Sequence, residues 1–305
     1  MVKEVEGTHK IGDSSLYTKS WLPDGPPKAK VIFVHGYSDH INRYYELFPT
    51  LASRGIEVHG FDQRGWGRSV RKPSEKGLTG PTSQVISDIV SFIKSHLPSS
   101  IPVFVMGHSM GGGEVLILAS SPEYEDLMPS IRGWLCEAPF IGFPAGFEPN
   151  PFTVFFGRLA GKLLPRMQMK NQLAPENLTR DPEVVKSLYD DELCHDTGTL
   201  EGLAHMLDRT SLLSSGKTTL NKGVKSLWIC HGTADKGTSF PATEKYFKEQ
   251  TGSVPDKEFK VYEGAYHVLH ADVKESRPIL ANDVGDWILA RCEDQQQPKA
   301  GESKL

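Results

Sequence analysis

Cysteine is scarce in this chain. Four residues in 305 are cysteine, at positions 136, 194, 230 and 292, and no C-x-x-C pair occurs. A disulfide framework or a cysteine-built zinc site is therefore not expected, and a reducing compartment is. Cys136 and Cys230 stand in the apolar runs WLCEAP and LWICHG, where a thiol serves as a small buried hydrophobe. Basic clusters are lacking too: 34 Lys and Arg face 38 Asp and Glu, for a net charge of −4. With no basic stripe to neutralise phosphates, nucleic acid is not an expected partner. There is no G-x-G-x-x-G or phosphate loop. None of the eleven histidines is spaced with carboxylates as metal ligands are. Neither a cofactor nor a metal is expected. No run approaches the roughly 20 apolar residues that span a bilayer. MVKEVEGTHK has no apolar core of signal-peptide length. The expectation is a protein kept on the cytosolic side, unless its other end redirects it.

That other end reads Ser303-Lys304-Leu305, a peroxisomal address recognised by an import receptor. The polar stretch before it predicts a flexible tail over 293–305, which would keep the address reachable.

Between the ends, short apolar runs alternate with helical stretches. VIFVHG (31–36), IEVHGFD (56–62), VFVMGHS (103–109), IRGWLCEAP (131–139), VKSLWICHG (224–232) and FKVYEGAYH (259–267) read as strands. Helices are expected over 44–55, 82–97, from 110, over 241–250 and over 276–291. Such alternation means a parallel sheet covered on both faces, in a single domain over 1–305. Residues 1–22 predict an antiparallel hairpin at one edge. Residues 140–215 break the rhythm with seven prolines nearby, no clear buried strand and apolar clusters such as PFTVFFGRLAGKLLP. The stretch is too long and too apolar for a loop and reads as a helical cap.

Gly107-His108-Ser109-Met110-Gly111 fits G-x-S-x-G, with a buried strand before it and a helix after it. That context makes it a nucleophile elbow and predicts the α/β-hydrolase fold: a mostly parallel eight-stranded sheet, helices on both faces and a cap insertion. A serine hydroxyl needs a base. In this fold the chain order is Ser, then Asp or Glu, then His. His267 follows the last strand-like run and is the expected base; His270, three residues on, is its competitor. Asp235 leaves the preceding strand in LWICHGTAD and would orient the imidazole. Asp272 lies too close to His267, and Asp62 precedes the serine. The oxyanion needs two donors. The main-chain N–H of Met110 is one, and that of Tyr37, in the loop after VIFV, is the other. His35 and His108 are expected to shape this loop rather than react.

At these residues the chain resembles the monoacylglycerol lipases, a branch of the α/β-hydrolases. The points of contact are VIFVHGYSDHINRYYEL (31–47), FDQRGWGRS (61–69), VFVMGHSMGGG (103–113), ICHGTADKGTS (229–239) and YEGAYHVLH (262–270). The cap matches only in length and general character. The resemblance implies hydrolysis of a lipid ester, a monoglyceride, to fatty acid and glycerol without a cofactor. It also implies an apolar cap that touches membranes and guides the acyl chain. By position, Asp39 and Arg43 match polar residues at the glycerol end, and Tyr189 is similar to a cap tyrosine at the exit of the alcohol. The family often has Glu at position 39 and a small residue at 37, so this polar end is shorter and its mouth narrower. Thioesterase, lysophospholipase and general carboxylesterase readings use the same triad and stay open. A non-catalytic binding protein of this fold usually lacks a triad member, and here all three positions are filled.

Overall fold

The computed structural model describes residues 2–293. The expected tail falls almost wholly outside the described residues, as do Ser303, Lys304 and Leu305; only Glu293, the end of the last helix, lies within them.

Strands β1 (Lys3–Ile11) and β2 (Ser14–Leu22) form the expected antiparallel edge hairpin. Its two-residue turn carries Gly12 at φ 56°, the positive φ that a tight hairpin turn demands. The chain then alternates: β3 (Ala29–Val34), α1 (Leu47–Ser53), β4 (Ile56–Phe61), α2 (Thr82–Ser95), β5 (Val103–His108), α3 (Met110–Ala119) and β6 (Gly133–Glu137). After β6 comes the cap, with α4 (Pro151–Leu163), β7 (Gln168–Lys170), α5 (Pro182–Asp190), β8 (Thr197–Thr199) and α6 (Leu200–Ser214). The main fold resumes with β9 (Ser226–Gly232), α7 (Phe240–Gln250), β10 (Asp256–Tyr262) and α8 (Arg277–Glu293).

Eight strands make one sheet in the order β1-β2-β4-β3-β5-β6-β9-β10, parallel from β4 onward. The period of two in each central strand sorts side chains to its two faces. Ile32, Val34, Val103, Val105, Trp134 and Cys136 pack with α2, α3 and α7. Val31, Phe33, Phe104, Met106 and Leu135 pack beneath α1 and α8. Strands buried on both sides are the reason these runs are apolar throughout. From β3 the chain moves out to β4, then returns across to β5. That reversal opens a crevice at the carboxyl ends of β3 and β5, where an α/β sheet presents its ligand groups.

Two expectations need correction. The last strand ends at Tyr262 rather than running to His267, because its partner β9 ends opposite it at Gly232. The cap is not purely helical, since β7 and β8 pair as a short antiparallel ribbon. Its helices begin where side chains cap them: Asn150 accepts from Phe152 N–H, Asp181 from Glu183 N–H and Thr199 from Gly202 N–H.

The cap is fastened to the core by a buried ion pair. Arg209 on α6 donates to Glu114 on α3 at 2.9 Å, and both are almost wholly buried. Burial pushes the Glu114 carboxyl up to about 7 against the pull of Arg209. Replacing Arg209 with Met should leave Glu114 protonated at neutral pH and without its buried partner, and lower stability by about 1–3 kcal/mol. Urea denaturation at neutral pH measures it, and Glu114→Leu in the same chain should recover most of the loss.

Candidate active site

Ser109 sits between β5 and α3 at φ 56° and ψ −119°. Such a turn leaves no room beside it. A Cβ on Gly107 would lie 2.4 Å from the Gly111 carbonyl oxygen, and one on Gly111 would lie 2.3 Å from that of Val34. The two glycines of the motif are thus steric necessities. The serine hydroxyl points to His267, with 2.8 Å between Oγ and Nε2. Across the ring, Nδ1 of His267 lies 2.8 Å from Oδ2 of Asp235. The three residues expected to act together are therefore hydrogen-bonded in one line, contributed by the ends of β5, β9 and β10.

Asp235 is held by more than His267. Its Oδ1 accepts the main-chain N–H groups of Gly237 at 2.6 Å and Thr238 at 2.9 Å. Its Oδ2 also accepts the Thr238 hydroxyl at 2.9 Å and His231 Nε2 at 2.8 Å. Burial alone would raise this carboxyl. The His267 and His231 rings and these donors overcome it and hold the group far below the usual carboxylate range. For His267 the balance has the opposite sign. Burial lowers the imidazole, but the charge and hydrogen bond of Asp235 outweigh it and leave the ring raised. His231 and Thr238 were not among the expected site residues; only the fold brings them to the carboxylate.

Met110 is the first residue of α3, so its N–H is among those with no intrahelical acceptor. Gly36 packs directly on the serine, where a Cβ would lie 3.1 Å from that of Ser109, so the loop carrying Tyr37 borders the nucleophile. The Tyr37 ring packs edge-on to Trp66, and its hydroxyl donates to the cap carbonyl of Asp196 at 3.1 Å. His35 holds this loop: its Nε2 accepts Gln63 N–H at 2.8 Å, and its Nδ1 meets the Gly36 carbonyl at 2.8 Å. Asp62 is structural as well, accepting the N–H groups of Ile41 and Arg68.

A cavity of about 380 Å³ opens above Ser109 and His267, between core and cap. Asp39 and Arg43 line its core side, and Val184, Leu188 and Tyr189 its cap side. Asp39 accepts Tyr44 OH at 2.6 Å and His40 N–H at 2.8 Å. Arg43 spends four hydrogen bonds on Asp191, Tyr45 and the carbonyl and hydroxyl of Ser187, so its guanidinium is tied to the cap as well as lining the cavity. Tyr189 is exposed and donates to Glu176.

Linear spacing pointed to no metal ligands. Folding nonetheless groups His40, Asp191 and Cys194, and, deeper, His108, Glu137 and His270. In each group a histidine is already hydrogen-bonded to the carboxylate, His40 to Asp191 at 2.9 Å and His270 to Glu137 at 2.8 Å.

The raised His267 ring should stay protonated to a pH above the ordinary histidine value of about 6.5. Asp235→Asn removes the charge that raises it, and the midpoint should then fall. Titration of the His267 imidazole by NMR of histidine-labelled protein reads both values.

Comparison with known proteins supplies the context. The Hydrolase_4 family, described as serine aminopeptidase, S33, matches residues 25–274. The "Putative monoglyceride lipase" of Schizosaccharomyces pombe is 31% identical over 94% of this chain and 74% of its own. The monoacylglycerol lipase of Mycolicibacterium smegmatis is 26% identical over 95% of this chain and 99% of its own. Among solved structures, a soluble variant of the Saccharomyces cerevisiae monoglyceride lipase superposes with a TM-score of 0.83 at 22% identity, over 95% of this chain and 97% of that one. This last likeness establishes the α/β-hydrolase fold. With the family match and the relatives beside it, the chain belongs to the serine aminopeptidase S33 family, in its monoacylglycerol lipase branch of carboxylic ester hydrolases.

Proposed function

We propose that the protein hydrolyses monoacylglycerols to fatty acid and glycerol through an acyl-enzyme on Ser109, and so takes part in lipid degradation. The observation that carries this reading is the unbroken hydrogen-bonded line Ser109–His267–Asp235 at the floor of a cavity covered by the cap, which contributes Leu173, Val184 and Leu188 to its wall.

In this mechanism Ser109 Oγ attacks the ester carbonyl carbon while its proton passes to Nε2 of His267. Asp235 stabilises the imidazolium, and the N–H groups of Met110 and Tyr37 hold the oxyanion. As the tetrahedral intermediate collapses, His267 gives the proton to the departing glycerol oxygen. Water, deprotonated by the same ring, then releases the fatty acid. Asp39 faces the glycerol end, Arg43 fixes that wall through Asp191, and Tyr189 borders the way out for the alcohol.

The substrate is carried in lipid, and the cap supplies a surface for it. Phe152 (74% exposed), Phe155, Phe156, Leu159 and Leu163 (72%) crowd onto α4. Apolar groups of this size left in water are a cost that docking on a bilayer removes. We read α4 as the contact between cap and membrane. Peroxisomal import through Ser303-Lys304-Leu305 is a further part of the proposal and rests on those three residues alone.

The deciding assay compares 2-oleoylglycerol with oleoyl-CoA, using wild type and Ser109→Ala. Turnover of the glyceride in preference to the thioester is expected, with kcat falling roughly a million-fold in Ser109→Ala. A folded Ser109→Ala variant with normal activity overturns the mechanism, and preference for the thioester overturns the substrate. For the cap, Phe155→Asp with Phe156→Asp should weaken sedimentation with phospholipid vesicles by roughly ten-fold or more. Hydrolysis of a water-soluble short-chain ester should be unaffected by that pair.

A further inference from the structure

Glu137 ends β6 and has no part in the acyl-transfer steps, yet it touches both halves of the machinery. Its main-chain carbonyl accepts the Ser109 N–H at 2.9 Å. Its Oε1 accepts the main-chain N–H of His270 at 3.1 Å and the His270 ring at Nδ1, 2.8 Å away. His270 closes the four-residue stretch that His267 opens, so this carboxylate anchors the loop that carries the base.

The side chain is wholly buried. A buried carboxylate is costly unless it is compensated, and a neutral amide could accept the same two hydrogen bonds through its oxygen. Hydrogen bonding alone therefore does not require a charge here. Glu137 Oε2 has no hydrogen-bond partner among the described residues, and neither has Nε2 of His108. The His108 ring stands 5.0 Å from both the His267 and the His270 rings. Burial outweighs the neighbouring carboxylate and pushes His108 down to about 3, so it adds no positive charge beside His267. Burial also opposes ionisation of Glu137, but the His270 ring and the two hydrogen bonds from His270 hold its carboxyl below the usual range. The titratable groups that feel this charge are His108 from β5, His267 and His270 from the loop after β10, Tyr44 ahead of α1, Cys230 from β9 and Tyr262 from β10.

We propose that Glu137 is a positioning residue for acyl transfer: it holds the His267–His270 loop through His270 and, as a second buried carboxylate after Asp235, stabilises the imidazolium that His267 becomes. This rests on reading His267 as the general base. The two hydrogen bonds give the loop its place, and the charge acts on the ring without touching the substrate.

The test measures kcat and KM on a water-soluble ester from about pH 5 to 9. It uses wild type, Glu137→Gln, Glu137→Asp, and the controls Ser109→Ala and His267→Ala, with folding checked by circular dichroism and melting. Glu137→Gln keeps both acceptor bonds and removes the charge. KM should hold, kcat should fall about ten-fold, and the acid limb of the profile should move down by about one pH unit. Glu137→Asp, with its charge withdrawn by one methylene, should shift the limb the same way by less. A folded Glu137→Gln whose limb does not move overturns the proposal, even if its rate falls. Should Glu137→Gln fail to fold, the Asp variant decides, and an Asp variant identical to wild type overturns the proposal. If His267→Ala retains activity, the base assignment itself has failed, a result distinct from any outcome at position 137.

Discussion

Ser109 holds a backbone conformation that a residue with a side chain keeps only when its surroundings over-determine it. Here they do so from every side. Gly107 and Gly111 let the strand and helix approach closely enough for the turn to close. The serine N–H is taken by the Glu137 carbonyl, and its carbonyl accepts from Gly113 and Phe140. The two strands flanking β5 therefore serve different ends of the same residue. β3 ends in the loop that borders the hydroxyl, while β6 ends in the carbonyl that pins the backbone. A sheet of another strand order would not put both beside the nucleophile, and the elbow would have nothing to hold its strain.

Around that fixed point the protein buries carboxylates in sharply different settings. Asp235 accepts from two main-chain N–H groups, a hydroxyl and two histidines, and its charge is well compensated. Asp62 takes two main-chain N–H groups through different oxygens and links the loop after β4 to the one after β3. Burial nonetheless raises the Asp62 carboxyl, and Glu114, which faces Arg209, is raised as well, to about 7. What sets Asp235 apart is the number of donors together with the two histidine rings against it. Each N–H aimed at a carboxylate favours its charged form, and where few are supplied desolvation wins. Of these three, the best-supplied carboxylate is the one beside the histidine whose charge must appear and vanish within each turnover.

Much of this was legible in the sequence for identifiable reasons. Strands buried on two faces have no polar alternation to hide them, so VIFV and VFVM announce themselves. The serine stands in a motif whose spacing is steric, and chain order then selects Asp235 and His267 from many acids and histidines. The missed features have physical causes too. The three-residue strands β7 and β8 are too short to show a period. His231 lies only four residues from Asp235, yet nothing in that spacing says that the turn folds the carboxylate back onto the strand end. Gly237 reads as an ordinary turn glycine, although a Cβ there would meet the His267 ring at 2.8 Å. Glu137 follows an apolar run and gives no hint of its partner, which lies 133 residues away.

The cap and the loop beside the nucleophile form one mechanical unit. Tyr37 donates its hydroxyl to the Asp196 carbonyl, and Ser38 accepts the Asp196 N–H at 2.8 Å. A few residues on, His40 and Arg43 both reach Asp191 at 2.9 Å. Residues 37 to 43 thus run from the loop beside Ser109 along one wall of the cavity, and the cap grips that stretch through Asp196 at residues 37 and 38 and through Asp191 at residues 40 and 43. Asp191 has its carboxyl pulled well below the ordinary range by His40 and Arg43 despite partial burial, so this grip is an ionic one. On the other side, Val268 N–H bonds to the cap carbonyl of Leu178 at 2.9 Å, one residue beyond the base. A displacement of the cap large enough to break these bonds would pull on both the loop after β3 and the loop of His267. The size of this roof and the geometry of the groups beneath it are therefore set together: the bonds that close the cavity are the same ones that hold the reacting residues' loops in register.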